Sequence, residues 1–213
     1  RVLSASSPLP QDGKSTILTN LAAAFAKLGM NVVLVEADMR RPTLQKRFGL
    51  PDTAGLSELL KETATIDDVV VPSGVPNLTL ITAGSGVANP SELLQGESFD
   101  RVLTSLKERF QLVVIDVGPI LAVSDSIIVG QKSDGMLVVV RSANDTRQQV
   151  VEAVETLRAA KARLLGCVVN TFGSGDGFER RSNYAYYNSD RVEKSADVAA
   201  VRATTSRKRF ENA

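Results

Sequence analysis

The residues best suited to chemistry are Gly13, Lys14, Ser15 and Thr16, which close the stretch SSPLPQDGKST. A glycine lets the backbone pass close to a phosphate. The N-terminus of a following helix offers unpaired N–H groups and the positive end of its dipole. Lys14 would neutralise the β- and γ-phosphates of a nucleotide, and the Ser15 hydroxyl would ligate Mg2+. The usual phosphate loop also has a glycine five residues before Gly13, and that position holds Pro8. A bare GKS tripeptide is a weak signal that also arises by chance in turns. Three carboxylates strengthen it. VVLVEADMRRP puts Glu36 and Asp38 at the end of one apolar run, and VVIDVGP puts Asp116 at the end of another. One acid ending one strand is accounted for by a helix cap. Acids ending two strands, beside a GKST loop, are suited to holding Mg2+ through water and positioning an attacking group.

These residues must be carried by strands and helices, and the sequence has both patterns. Apolar runs at Val32–Asp38, Leu78–Gly84, Leu112–Gly118, Gly135–Arg141 and Leu164–Asn170 are rich in Val, Ile and Leu without polar alternation. Strands buried on both faces of a parallel sheet read this way. RVLSAS at the start reads as a further strand. Between the runs lie helical patterns: Ser15–Leu28, stopped by Gly29, then Ser91–Arg109 and Arg147–Ala162. Strand–helix alternation predicts an α/β, doubly wound, mostly parallel sheet flanked by helices, with ligands at the C-terminal ends of the strands. Residues 1–173 are expected to form this domain. From Thr171 onward strong apolar runs vanish, and residues 174–213 read as a flexible tail with a short helix near Ala196–Thr204.

Bulk properties exclude several classes. The 213 residues are 43% apolar and 23% charged, with a net charge of +1, which gives no charge-based reason to expect nucleic acid as a partner. The single cysteine, Cys167, rules out an internal disulfide and reads as a core residue of its apolar run. No apolar run reaches the roughly 18 residues a membrane span needs, and no signal peptide is apparent. The chain begins at Arg1, inside a strand, and reads as a segment of a longer protein.

With these motifs in place, the sequence resembles the bacterial tyrosine kinases of capsule and exopolysaccharide systems, a branch of the P-loop class related to ParA/MinD proteins. Their loop is usually Pro-Gly-Glu-Gly-Lys-Ser-Thr, and Pro10-Gln11-Asp12-Gly13-Lys14-Ser15-Thr16 is similar to it. The early glycine is normally missing in that family, which accounts for Pro8. Their second motif, three apolar residues then Asp-x-Asp-x-Arg, corresponds to the run through Glu36, Asp38 and Arg40. The third corresponds to Val113–Asp116 with Pro119. Asn170 resembles the adenine-contacting position. The resemblance covers roughly Arg1 to Tyr187. Gln11 stands where a glycine is usual, Glu36 where an aspartate is usual, and Val117-Gly118 where Thr-Pro is common. The family's Glu-x-x-Arg-x-x-Arg oligomerisation motif would lie before Arg1. Glu155, Arg158 and Lys161 mimic it in the wrong place and read as a helix-surface ion pair.

The resemblance implies an ATP- and Mg2+-dependent tyrosine autokinase. Pro10 to Thr16, Arg40 and Asn170 would bind the nucleotide. Ser15, Asp38 and Asp116 would serve the metal, and Lys14, Glu36, Asp38 and Asp116 would serve catalysis, with Glu36 the leading acceptor of the tyrosine proton. It also implies ATP and ADP as ligands, a ring-type homo-oligomer, and a membrane adaptor of the polysaccharide co-polymerase type, fused upstream or separate. The expected location is the cytoplasmic side of the bacterial inner membrane. All three tyrosines, Tyr184, Tyr186 and Tyr187, fall in YAYY near the C-terminus, where the family carries a phosphorylated tyrosine cluster. Two rivals are weighed. ParA/MinD-type partitioning ATPases carry a second lysine five residues before the loop lysine, and Leu9 stands there instead. A non-enzymatic, nucleotide-binding adaptor would keep the loop without transferring phosphate.

Overall fold

The computed structural model describes residues 1–142 and 144–171. Its sheet has seven strands in the order β3-β4-β2-β5-β1-β6-β7. They are β1 (Val2–Ser6), β2 (Val32–Glu36), β3 (Val71–Pro72), β4 (Leu78–Ile81), β5 (Leu112–Asp116), β6 (Gly135–Arg141) and β7 (Leu164–Asn170). All neighbours pair in parallel except β3, a two-residue antiparallel edge on β4. The expected doubly wound architecture is therefore present. β3 escapes the sequence reading because two residues carry no periodicity.

The Val/Ile/Leu runs form the centre of the sheet because both of its faces are covered. Every residue of β2 and of β5 is buried. On one face α1 (Lys14–Lys27) lays Leu18, Ala22, Ala23 and Ala26 against Val32, Leu34 and Val114. The alanines bring this helix close to the strands. On the other face Phe99, Leu103 and Leu106 of α6 (Glu97–Arg109) meet Val33, Ile81 and Ile115. Each such large apolar side chain contributes roughly 1.5–3 kcal/mol by leaving water.

Two expectations change. The helix read over Ser91–Arg109 is two helices, α5 (Pro90–Gln95) and α6, in the numbering where α2 is Leu44–Phe48, α3 Leu56–Leu60 and α4 Ile66–Val69. Gly96 sits between them in extended backbone (φ −65°, ψ 159°), and Glu97 and Asp100 start the new helix where acids suit its dipole. Cys167 is exposed, not core. Among the described residues β7 lies at the sheet edge with only β6 beside it, so its burial alternates and Leu165 and Val169 are exposed as well. The remaining helices are α7 (Asp125–Gln131) and α8 (Arg147–Ala159). Among the described residues no helix is long and apolar enough to cross a membrane. The expected tail lies outside the described residues.

Candidate functional site

Topology brings the candidate residues together. β1 lies between β5 and β6, and β5 lies between β1 and β2. The loop after β1 therefore emerges beside the C-terminal ends of β2 and β5. Glu36 is the register partner of Asp116, and Asp116 is also the partner of Ala5. In an open α/β sheet this is the crevice where ligands bind.

The loop holds its own shape. Ser7 Oγ donates to Leu9 O (2.6 Å), and Leu9 N donates to Asp12 Oδ2 (2.9 Å). Gln11 and Gly13 both take left-handed backbone, at φ 69° and 94°. Gly13 ends the loop as the N-cap of α1. No side chain caps that helix and no acid stands in its first turn, so its leading N–H groups and dipole remain available to an anion. Pro10 and Gln11 are exposed on the loop, and the Asp12 side chain is buried beneath it. Burial raises the Asp12 pKa against the Leu9 N–H, and the charge of Asp145 adds to the rise.

Lys14 points from the first turn of α1 into the acids. Its Nζ lies 3.1 Å from Asp38 Oδ2, 3.4 Å from Asp116 Oδ1 and 3.4 Å from Ser15 Oγ. Both ion pairs are nearly dry. Burial opposes the lysine's charge, but Asp116 and Asp38 outweigh it and hold its pKa above the ordinary value. Burial likewise lifts Asp116, against the pull of Lys14 and Ser15, and Asp38 adds to the rise. Asp116 Oδ2 is buried without a hydrogen-bond partner. An orphaned carboxylate oxygen beside a second carboxylate and a serine hydroxyl is a donor set that fits Mg2+. Among the described residues no group of three or more His, Cys, Asp or Glu could hold a metal by itself. Mg2+ in general keeps waters and shares phosphate oxygens rather than entering an all-protein cage.

Glu36 is placed differently. Its Oε1 accepts from the backbone N–H groups of Thr43 and of Leu44 (2.8 Å) and from Thr43 Oγ1 (3.3 Å). The residue is fully buried, whereas Asp38 is 6% exposed. Burial raises the Glu36 pKa, the Thr43 and Leu44 N–H groups oppose it, and Asp116 adds to the rise. Glu36 thus ties the start of α2 to the end of β2, and none of its hydrogen bonds reaches Lys14. Arg40 is hydrogen-bonded to other elements, although the Asp38 charge also acts on it. Its Nε donates to Asp125 Oδ2 (2.9 Å) and its Nη2 to Asp125 Oδ1 (3.3 Å) and Ser91 Oγ (3.0 Å). It links the segment after β2 to α5 and α7. Asn170 reaches the loop itself, donating from Nδ2 to Asp12 O at 2.9 Å. Tyr184, Tyr186 and Tyr187 lie outside the described residues. One neighbour escaped the sequence reading: Arg47 Nη1 lies 3.1 Å from Thr16 Oγ1, at the mouth of α1. A basic residue at the C-terminal turn of a short helix gives no motif by which to find it.

Fold and loop define a P-loop nucleotide-binding domain. Residues 12–165 match the family model described as AAA domain. The chain is 35% identical over 181 residues to tyrosine-protein kinase YwqD of Bacillus subtilis, covering 85% of this chain and 75% of that protein. It is 36% identical over 169 residues to tyrosine-protein kinase ptk of Acinetobacter johnsonii, covering 79% of this chain but only 23% of that longer protein. Among solved structures, the chimerical protein CapA2B2 superposes with a TM-score of 0.78 at 33% identity, over 82% of this chain and 77% of its own. The kinase domain of the Escherichia coli tyrosine kinase ETK does so with a TM-score of 0.78 at 29% identity, over 83% and 69%. Pyrococcus horikoshii MinD shares the fold, with a TM-score of 0.69 at 20% identity over 83% and 72%. The chain belongs to the bacterial tyrosine kinase family.

Proposed function

We propose that this domain transfers the γ-phosphoryl group of Mg-ATP to Tyr184, Tyr186 and Tyr187 in the C-terminal segment of its own or a neighbouring subunit, and so regulates capsule or exopolysaccharide synthesis. The observation that carries the reading is the convergence of Lys14, Asp38 and Asp116 at the mouth of an uncapped α1. Phosphoryl transfer needs positioning and charge neutralisation more than covalent chemistry. The N–H groups from Gly13 to Thr16 would cradle the phosphates. Lys14 would leave the two carboxylates for the phosphate oxygens, whose charge competes for it directly. Ser15, Asp38 and Asp116 would hold Mg2+ and its waters. When bound, that ion supplies positive charge to the transferring group. Arg47, beside Thr16, adds a further cation near the phosphates.

In the transfer the phenolic oxygen of tyrosine bonds to the γ-phosphorus, the bond from that phosphorus to the β–γ bridging oxygen breaks, and ADP leaves with the bond's electrons. The phenolic proton needs a carboxylate with access to the substrate. Asp38, which pairs with Lys14 beside the phosphate loop, is the better placed of the two, because Glu36 Oε1 is already held by the start of α2. Glu36→Gln is therefore expected to keep turnover within about threefold, because the amide oxygen still accepts the Thr43 and Leu44 N–H groups. A loss of about a hundredfold or more, the size expected for a missing general base, would return the proton-accepting role to Glu36.

By kinship the domain would assemble as a ring-type homo-oligomer and work at the cytoplasmic side of the inner membrane with a polysaccharide co-polymerase adaptor. Each added phosphate brings about −1.5 to −2 charges at pH 7. Three within the four residues from Tyr184 to Tyr187 would be repelled by a neighbour's acidic site and favour release. Incubation with Mg-ATP followed by mass mapping tests the transfer. Phosphate should appear on Tyr184, Tyr186 and Tyr187 and vanish when all three are Phe. ATP binding with no phosphotyrosine would make the domain a nucleotide-responsive adaptor instead.

A further inference from the structure

The carbonyls of Gln11 and Asp12 are consecutive in the phosphate loop, and each accepts a hydrogen bond from the end of a strand beyond β1 in the sheet, β6 or β7. Arg141 Nη1 donates to Gln11 O at 3.3 Å, and Asn170 Nδ2 donates to Asp12 O at 2.9 Å. Arg141 and Asn170 are register partners at the C-terminal ends of β6 and β7. A trans peptide points its N–H opposite its carbonyl. Holding these two carbonyls outward therefore aims the N–H groups of Asp12 and Gly13 into the loop, where a phosphate would lie. The bend being held is an unfavourable one, since Gln11 adopts φ 69°, a left-handed conformation costly for a residue with a Cβ. The fit is close as well: a Cβ on Gly13 would come within 2.3 Å of Asn170 Nδ2.

We propose that Asn170, supported by Arg141, is a positioning residue of the phosphate loop, and that it governs phosphate affinity whether or not a base is attached to the phosphates. This rests on the nucleotide reading above and extends it, because a residue that only read adenine would have no effect on a ligand without a base. The strain at Gln11 explains why the loop needs an outside tie, and glycine at that position would remove the need.

Calorimetric titration of wild type, Asn170→Ala, Gln11→Gly and the double variant with Mg-ATP and with Mg-tripolyphosphate tests it. Asn170→Ala is expected to weaken both ligands by the same factor, about threefold to tenfold, the range one neutral hydrogen bond carries. Gln11→Gly in the Asn170→Ala background is expected to restore part of the loss for both. A general loss of folding would lower the thermal midpoint and the fraction of protein that binds, while leaving the dissociation constants of the folded fraction unchanged for both ligands. A loss confined to Mg-ATP, or no recovery in the double variant, would overturn the positioning role while leaving the nucleotide site intact. Failure of the wild type to bind either ligand would overturn the site and the proposal together.

Discussion

Lys14→Met is expected to abolish tyrosine phosphorylation and to destabilise the nucleotide-free domain at neutral pH. The catalytic loss should be about a thousandfold or more, as for other cations that neutralise a transferring phosphoryl group. The loss of stability has a separate origin. Without ligand, Lys14 is the counter-charge of Asp38 and Asp116 in a site from which water is nearly excluded. Breaking a buried pair by deleting one partner leaves an uncompensated charge and costs roughly 3–5 kcal/mol. The deficit should shrink in acid. Asp116 and Glu36 already titrate above their unfolded values of 3.8 and 4.5, burial being the main cause in each. A carboxyl group with a raised folded pKa binds its proton more tightly in the native state. Its contribution is therefore most favourable at low pH and drains away as pH rises through the folded value. Lys14 is what restrains Asp116, so its removal extends that window upward. Chemical denaturation of wild type and variant at about pH 5 and about pH 8 should show the gap widening with pH. A constant gap would mean that the lost packing of the lysine stem, not charge, sets the cost.

Asp116→Asn should produce the opposite pairing of effects. Turnover is expected to fall by about a hundredfold or more, since the metal-facing charge is lost from a dry, preorganised site. Stability of the ligand-free domain at neutral pH should hold or rise. The carboxylate is 1% exposed, one of its oxygens has no partner, and Asp38 stands close enough to oppose its ionisation. An isosteric amide removes that charge while Asp38 still pairs Lys14. Functional sites commonly hold such unfavourable arrangements at the expense of stability. The check is the thermal midpoint alongside the phosphotyrosine yield. A fall of several kcal/mol in Asp116→Asn would show that the Lys14–Asp116 contact is a structural brace rather than a poised site.

Local patterns in the sequence carried much of this arrangement. Val32–Glu36 and Leu112–Asp116 are readable as central strands because burial on both faces leaves no room for polar alternation. Once those strands are adjacent and parallel, the acids at their ends must lie side by side. What was not legible depends on partners far along the chain. Arg40 looks like a nucleotide ligand by motif, yet its guanidinium is claimed by Asp125, 85 positions away. Glu36 looks equivalent to Asp38 by spacing, yet the start of α2 folds back to occupy one of its carboxylate oxygens, Oε1. Cys167 sits in a run as apolar as the central strands, and only strand order shows that the run is an edge. Asn170 reaches Asp12 across 158 positions, a contact no periodicity encodes.

The most direct measurement is a crystal structure of the domain with Mg2+ and a non-hydrolysable ATP analogue. The expected result has the β- and γ-phosphates on the Gly13–Thr16 N–H groups, Lys14 Nζ moved from Asp38 and Asp116 onto phosphate oxygen, and Ser15, Asp38 and Asp116 facing the metal and its waters. A nucleotide bound elsewhere, or one bound here with Lys14 still paired to both carboxylates, would contradict the account.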